Sequence, residues 1–149
     1  MILEKGNMWD AFGKGIFMIT TNPIIRNDGA VVMGRGIALE AKTKYPTLPY
    51  DFGHQLKAIP PYSGEGCIGH IKDYDNVPIW WFMVKDHWRD NASLKIIRQS
   101  VFDINHRFVF NGQRIDLNFP GIGNGKLQRE DVLPLLVDLP DNVHVWEYK

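Results

Sequence analysis

Ile79-Trp80-Trp81-Phe82-Met83-Val84 is apolar at every position. A run of this length and aromatic or β-branched content is a strand covered on both faces, since a half-exposed strand would alternate polar and apolar residues. Three further runs have strand character: Gly15 to Thr21, Arg114 to Phe119 and Val143 to Tyr148. Between them lie helical patterns. Ile37, Ala38, Ala41 and Tyr45 recur at helix spacing and stop at Pro46. Leu94, Ile97, Val101, Ile104 and Phe108 trace one apolar stripe, with Asn91 or Ser93 as its N-cap. A third helix is expected from about Arg129 to Val137, where Pro134 is tolerable only in the first turn. Strands alternating with helices give an α/β layered fold.

The 149 residues are the usual size of one domain, and no repeat, low-complexity tract or linker interrupts residues 1–149. The segment Ile59-Pro60-Pro61-Tyr62-Ser63-Gly64-Glu65-Gly66 reads as a surface loop, because its prolines and glycines exclude regular structure. No window is long and uncharged enough for a membrane span. Met1-Ile2-Leu3-Glu4-Lys5 loses its apolar character at Gly6 and Asn7, unlike a secretory signal, so a cytoplasmic location is the expectation. Cys67 is the single cysteine, which rules out an intramolecular disulfide and a cysteine-based zinc site. His54, His70, His106 and His144 lack metal-ligand spacing, so neither metal nor cofactor is expected. Seventeen basic residues balance seventeen acidic ones, without the excess positive charge of a non-specific nucleic-acid binder.

Two glycine clusters stand out, Gly34-Arg35-Gly36 and Gly121-Ile122-Gly123-Asn124-Gly125. Each follows a strand-like run and precedes a helical one. Glycine lets a backbone turn sharply and bring its N–H groups against a bulky anion, and a helix N-terminus adds free donors and positive dipole. In an open α/β sheet both clusters fall outside the carboxyl ends of strands, where ligands bind. One phosphate-rich ligand held from two sides is the expectation. A P-loop is excluded, since Gly125-Lys126 is followed by Leu127 and no G-x-x-x-x-G-K-[ST] occurs; Gly34-Arg35-Gly36 also lacks the third glycine of a dinucleotide fingerprint.

Taken with Thr20-Thr21-Asn22-Pro23, the stretch from Asp28-Gly29-Ala30 to Met33-Gly34-Arg35-Gly36-Ile37-Ala38 resembles the first ligand loop of macrodomains, the ADP-ribose-binding modules. Phe119-Pro120-Gly121-Ile122-Gly123-Asn124-Gly125 resembles their second, phosphate-cradling loop, and Gly6-Asn7-Met8 stands where the family has Gly-Asp and an apolar residue. The similarity spans nearly the whole chain and is nearest in flavour to the branch of terminal ADP-ribose protein glycohydrolase and phage macrodomains. It implies a three-layer α/β/α fold with a mixed central sheet. It also implies binding of ADP-ribose or a close derivative, either an ADP-ribosylated acceptor or ADP-ribose-1″-phosphate. Nucleic acid would then enter as an ADP-ribosylated substrate, and no membrane partner is implied.

Residue by residue, the resemblance implies Asn7 and the Met8 backbone at the adenine, with Trp146, or alternatively Tyr148, packed on the base. Gly34, Arg35, Gly36, Ile37 and Ala38 would hold the diphosphate and distal ribose together with Pro120, Gly121, Ile122, Gly123, Asn124, Gly125 and Lys126. Asn22 is the preferred ribose contact over Asn27, which also fits an ordinary turn. Lys85 aligns with the lysine that attacks the anomeric carbon in the glycohydrolase branch; by itself it is equally a surface lysine at a strand end. His87 is a general acid or base candidate for phosphatase chemistry, together with Asn22, or else a loop residue. The branch has an acid after the second loop where this chain has Lys126, and Glu130 and Asp131 read as helix N-terminal carboxylates. The competing function is a single-strand nucleic-acid binder stacking bases on Trp80, Trp81, Trp88 and Trp146.

Overall fold

A computed structural model describes residues 1–60 and 66–148. Six strands, β1 (Ile2–Lys5), β2 (Ile16–Thr21), β3 (Ile68–Tyr74), β4 (Val77–Met83), β5 (Ile115–Asn118) and β6 (Val143–Glu147), form one sheet. Their order is β1-β6-β5-β2-β4-β3; all neighbours are parallel except β3, which is antiparallel to β4. Helices α1 (Gly36–Lys44) and α2 (Leu48–Lys57) cover one face; α3 (Leu94–His106) and α4 (Arg129–Leu136) cover the other. This is a three-layer α/β/α fold around a mixed sheet.

Strand alternation divides the core in two. Ile16 and Met18 of β2 pack under α3 and α4 with Ile115, Leu117, Ile97 and Val132, whereas Phe17 and Ile19 pack under α1 and α2 with Ala41, Leu48 and Phe52. The apolar run of β4 behaves as a strand with both faces covered. Trp81 is 3% exposed, stacks on Phe52 and donates its indole N–H to the Gly66 carbonyl, while Trp80 turns to the opposite face beside Phe108 and Phe110. Trp88 and Trp146 lie apart from both, at the carboxyl edge of the sheet, so the four rings do not make a continuous stacking platform.

Helix ends follow local chemistry. Ser93 caps α3 by accepting a hydrogen bond from the Ile96 N–H, which decides between the two N-cap candidates. Tyr45 closes α1 through its N–H to the Ala41 carbonyl, and Pro46 bars continuation. Three expectations need correction. Leu94 is exposed at the first turn of α3, and Phe108 lies beyond its end, so the buried stripe reduces to Ile97, Val101 and Ile104. Pro134 lies well past the first turn of α4, on its exposed side, and the helix ends at Leu136 soon after the lost N–H. Of the proline- and glycine-rich segment after α2, residues 61–65 lie outside the described residues. Among the described residues no helix is long and apolar enough to cross a membrane.

Candidate functional site

The chain leaves β2 for α1 on one face and leaves β5 for α4 on the other, so the neighbouring strands β2 and β5 form a topological switch point. Loops that depart in opposite directions open a crevice between them. Here those loops are the two glycine clusters. Their ladder pairing ends near Met18 and Leu117, and a side-chain pair takes over: Asn118 Oδ1 accepts from the Thr20 N–H at 3.0 Å, and its Nδ2 donates to Thr20 Oγ1 at 2.6 Å. The splayed ends are thus fixed directly under the crevice.

A cleft of about 820 Å³ runs over the carboxyl ends of β1, β6, β5, β2 and β4. At about 4.8 Å per strand, four steps give a length of roughly 19 Å, enough for an extended ligand with several distinct parts. Its β1–β6 end is apolar, made by Gly6, Met8, Trp146 and Tyr148. The glycine loops form its middle, and Asn22, Lys85 and Trp88 form the β2–β4 end.

In the middle, Gly36, Ile37 and Ala38 are the first turn of α1. The first intrahelical bond is donated by Leu39 to Arg35, and Arg35 provides no side-chain cap, so three N–H groups face the cleft without helical partners. Gly36 has φ +58°, and a methyl group there would lie 3.6 Å from the Asn124 amide nitrogen. The two glycine clusters therefore close on one another across the cleft. Gly121 needs its glycine for a second reason: φ is +81°, and a Cβ would sit 2.7 Å from the end of Ile97 and 2.9 Å from that of Leu127. Such loops cradle anions.

The charge lining the cleft agrees with that geometry. Among the described residues that line it, Arg26, Arg35 and Lys85 outnumber one carboxylate, Glu147, whose oxygens are taken by the Arg129 guanidinium at 2.8 and 3.0 Å. That bond holds the Glu147 carboxyl below the usual carboxylate range. Lys85 donates to the Trp88 and Asp90 carbonyls at 3.2 and 3.3 Å. Burial, followed by repulsion from Arg35, lowers its pKa below that of a free lysine, with Asp90 opposing. An amine poised this way is a better nucleophile than a solvated ammonium.

Most sequence-predicted residues converge here, and some do not. Met8, Asn22, Gly34 to Ala38, Gly121 to Gly125, Lys85 and Trp146 all line the cleft. Asn22 is buried, with its Nδ2 on the Val32 carbonyl and its Oδ1 on the Ile24 N–H, so it braces the first loop while still facing the cleft. Asn7 is exposed and caps the short 3₁₀ turn at Met8–Ala11 by accepting from the Trp9 N–H; it is outside the cleft wall. Pro120 is buried behind the loop, and Lys126 is an exposed left-handed residue, φ +62°, that ends the turn at Gly123–Gly125. His87 is likewise outside the wall: its Nδ1 accepts from the Arg89 N–H within its own loop. Asn27 is exposed in the turn before Gly29, and Glu130 and Asp131 are exposed in the first turn of α4.

Sequence reasoning missed Arg26, Trp88 as part of the cleft, and the side chains that hold the apolar end. Glu40 of α1 accepts from the Trp9 indole at 2.8 Å and from the Tyr148 hydroxyl at 3.1 Å; Asp116 of β5 accepts from the Trp146 indole at 2.9 Å. Only Trp88, three residues after Lys85, carried a local signal. Among the described residues no group of His, Cys, Asp and Glu side chains could hold a metal ion.

Several solved structures share this architecture. The macrodomain of Mycobacterium tuberculosis DarG is 25% identical with a TM-score of 0.71, over 99% of this chain and 95% of that one. Thermosipho africanus DarTG, solved in complex with ADP-ribose, is 20% identical with a TM-score of 0.71; the match takes in all of this chain but 42% of that one. A macrodomain protein from Streptomyces coelicolor is 18% identical, with a TM-score of 0.63 and full coverage of both chains. No family model matches the sequence, and no curated protein does.

Proposed function

Because the chain is a macrodomain in fold, we propose that its cleft binds ADP-ribose, free or attached to an acceptor. The observation that carries this reading is the closure of two glycine loops on one another at the sheet's switch point, with an apolar aromatic end on one side and a cationic end on the other. ADP-ribose has matching parts in the same order. The adenine takes the Trp146 and Tyr148 end, where stacking contributes roughly 1–3 kcal/mol. The diphosphate takes the free N–H groups at the start of α1 and in the second loop, with Arg35 alongside. The distal ribose reaches Asn22 and Lys85. That Thermosipho africanus DarTG, a protein of similar fold, was solved in complex with ADP-ribose supports the class of ligand.

Lys85 extends the reading to removal of ADP-ribose from an acceptor, as in the glycohydrolase branch. Its neutral amine attacks the anomeric carbon, and the carbon–acceptor bond breaks as the acceptor leaves with a proton. The ribosyl-lysine so formed opens to a Schiff base as the bond from the anomeric carbon to the ring oxygen breaks and that oxygen takes a proton. Water then adds to the C=N carbon, the amine is expelled, and the freed sugar recloses as ADP-ribose. Among the described residues the one carboxylate on the cleft wall, Glu147, is tied to Arg129, so the proton that the leaving acceptor takes up comes from the attacking amine, directly or through water.

Calorimetry with purified protein tests the binding claim. A saturable signal in the micromolar range, about −8 kcal/mol, is expected; none at millimolar ligand overturns it. Gly36→Val places a branched side chain at a positive φ and in the gap facing Asn124. It is expected to weaken ADP-ribose by about 30-fold or more while the circular dichroism spectrum stays native.

A further inference from the structure

We propose that Asp116 is a positioning residue for base recognition: by accepting the indole N–H of Trp146, it fixes the ring that forms the apolar end of the cleft and thereby sets the preference for adenine. This inference rests on the ADP-ribose reading above.

Asp116 is 1% exposed. Its neighbours on β5, Ile115 and Leu117, point into the core beneath α3 and α4, so the Asp116 side chain points to the α1 face, where an apolar residue would be the default. A carboxylate buried there is costly unless its lone pairs are filled. Arg114 fills some of them, with Nε at 3.1 and 3.3 Å and a terminal nitrogen at 3.1 Å. The Trp146 Nε1 donates to Oδ1 at 2.9 Å. Buried ion pairs of this sort can commonly be exchanged for apolar residues without loss of stability, so the fold does not itself call for one here.

What the pair supplies is direction. An indole has a single donor, and a buried acceptor decides which of its two ring flips is occupied. With Asp116 beneath it, the N–H edge of Trp146 points to the sheet. The benzo edge then lies toward Gly6, where φ is +139° and a methyl group would be 3.8 Å from Cζ3. The ring face left over bounds the cleft. Tyr148 differs: it is 67% exposed, and its hydrogen bonds are to Glu40 at its phenol tip. Of the two aromatics at this end, Trp146 is the one held at a fixed tilt. A rigid bicyclic face selects for a bicyclic base over a single ring.

The test compares ADP-ribose with UDP-ribose by calorimetry, using the full chain and variants in an Arg114→Leu background, which removes the cation from the comparison. Arg114→Leu/Asp116→Leu has no acceptor for the indole; Arg114→Leu/Asp116→Asn keeps an amide oxygen in its place. The wild type is expected to prefer ADP-ribose by about tenfold or more. The leucine variant should narrow that preference to about threefold or less by losing affinity for ADP-ribose alone, and the asparagine variant should restore it. Arg114→Leu/Asp116→Val also lacks an acceptor for the indole and keeps the Trp146 ring; it is expected to behave as the leucine variant and takes its place if that one fails to fold. Retention of the full preference by the leucine or the valine variant overturns the role of Asp116, as does failure of asparagine to rescue. A wild type that binds both sugar nucleotides equally also overturns it; one that binds neither overturns the ADP-ribose reading instead.

Discussion

Replacing Lys85 by alanine is expected to leave the affinity for ADP-ribose within about threefold of wild type, while release of ADP-ribose from a modified acceptor falls by ~10³-fold or more. The asymmetry follows from position. Lys85 follows the carboxyl end of β4, beyond the glycine loops that would hold the diphosphate, and its amine is directed by two backbone carbonyls. Attack needs the neutral amine, and burial followed by the Arg35 charge makes that form more accessible. Turnover should therefore fall as pH drops through the lowered Lys85 pKa. Arg35→Gln removes the repelling charge, raises that pKa, and should move the acid limb of the kcat profile to higher pH. An unimpaired Lys85→Ala variant would reject covalent chemistry and leave a binding module.

The largest stability effect is expected at Gly53, in the middle of α2. On helix propensity alone, Gly53→Ala should stabilise by about 1 kcal/mol. Packing says otherwise. A Cβ at Gly53 would sit 2.0 Å from the Gly29 carbonyl oxygen and 3.2 Å from its carbon, and these are backbone atoms that cannot rotate away. The helix and the first ligand loop would have to separate, breaking the Val31 N–H bond to the Pro49 carbonyl. Overpacking of this kind costs about 1–3 kcal/mol or more. We expect a net loss of about 2 kcal/mol, or roughly 4–8 °C in Tm for a domain of this size, with weaker ADP-ribose binding because the loop leading to Gly36 moves. Thermal melts and calorimetry on one preparation check both; a raised Tm would mean propensity wins.

Some of this was legible in the sequence and some was not, for physical reasons. Strands β2, β4, β5 and β6 carry concentrated apolar runs because most of their residues are covered, and α1 and α3 show helical periodicity because each buries one face. Three elements gave no such signal. β1 is an edge strand with Ile2 and Leu3 exposed, and it exists through its register with β6. β3 is the other edge, polar at His70, Lys72 and Asp73 and irregular between His70 and Lys72. α2 contains Pro49 and Gly53, residues that argue against a helix until the close approach of Gly29 explains the second.

The candidate site divides the same way. Glycine loops declare themselves because their constraint is local: a positive φ at Gly36 and Gly121, with close packing at the second, leaves no other residue comfortable. Glu40 and Asp116 act on partners 30 to 108 positions away, as in Trp9, Tyr148 and Trp146, and nothing near them in the chain marks that. His87 lies off the cleft wall for the converse reason. Two residues from Lys85 in sequence, it turns back onto its own loop.

The central claim, that two glycine loops and the aromatic end of the cleft form one ADP-ribose site, is tested most directly by a crystal structure of the protein soaked with ADP-ribose. The account predicts the base against Trp146, the diphosphate between Gly36 to Ala38 and Gly121 to Gly125, and the anomeric carbon facing Lys85. ADP-ribose bound elsewhere, or with its diphosphate away from both loops, would contradict it.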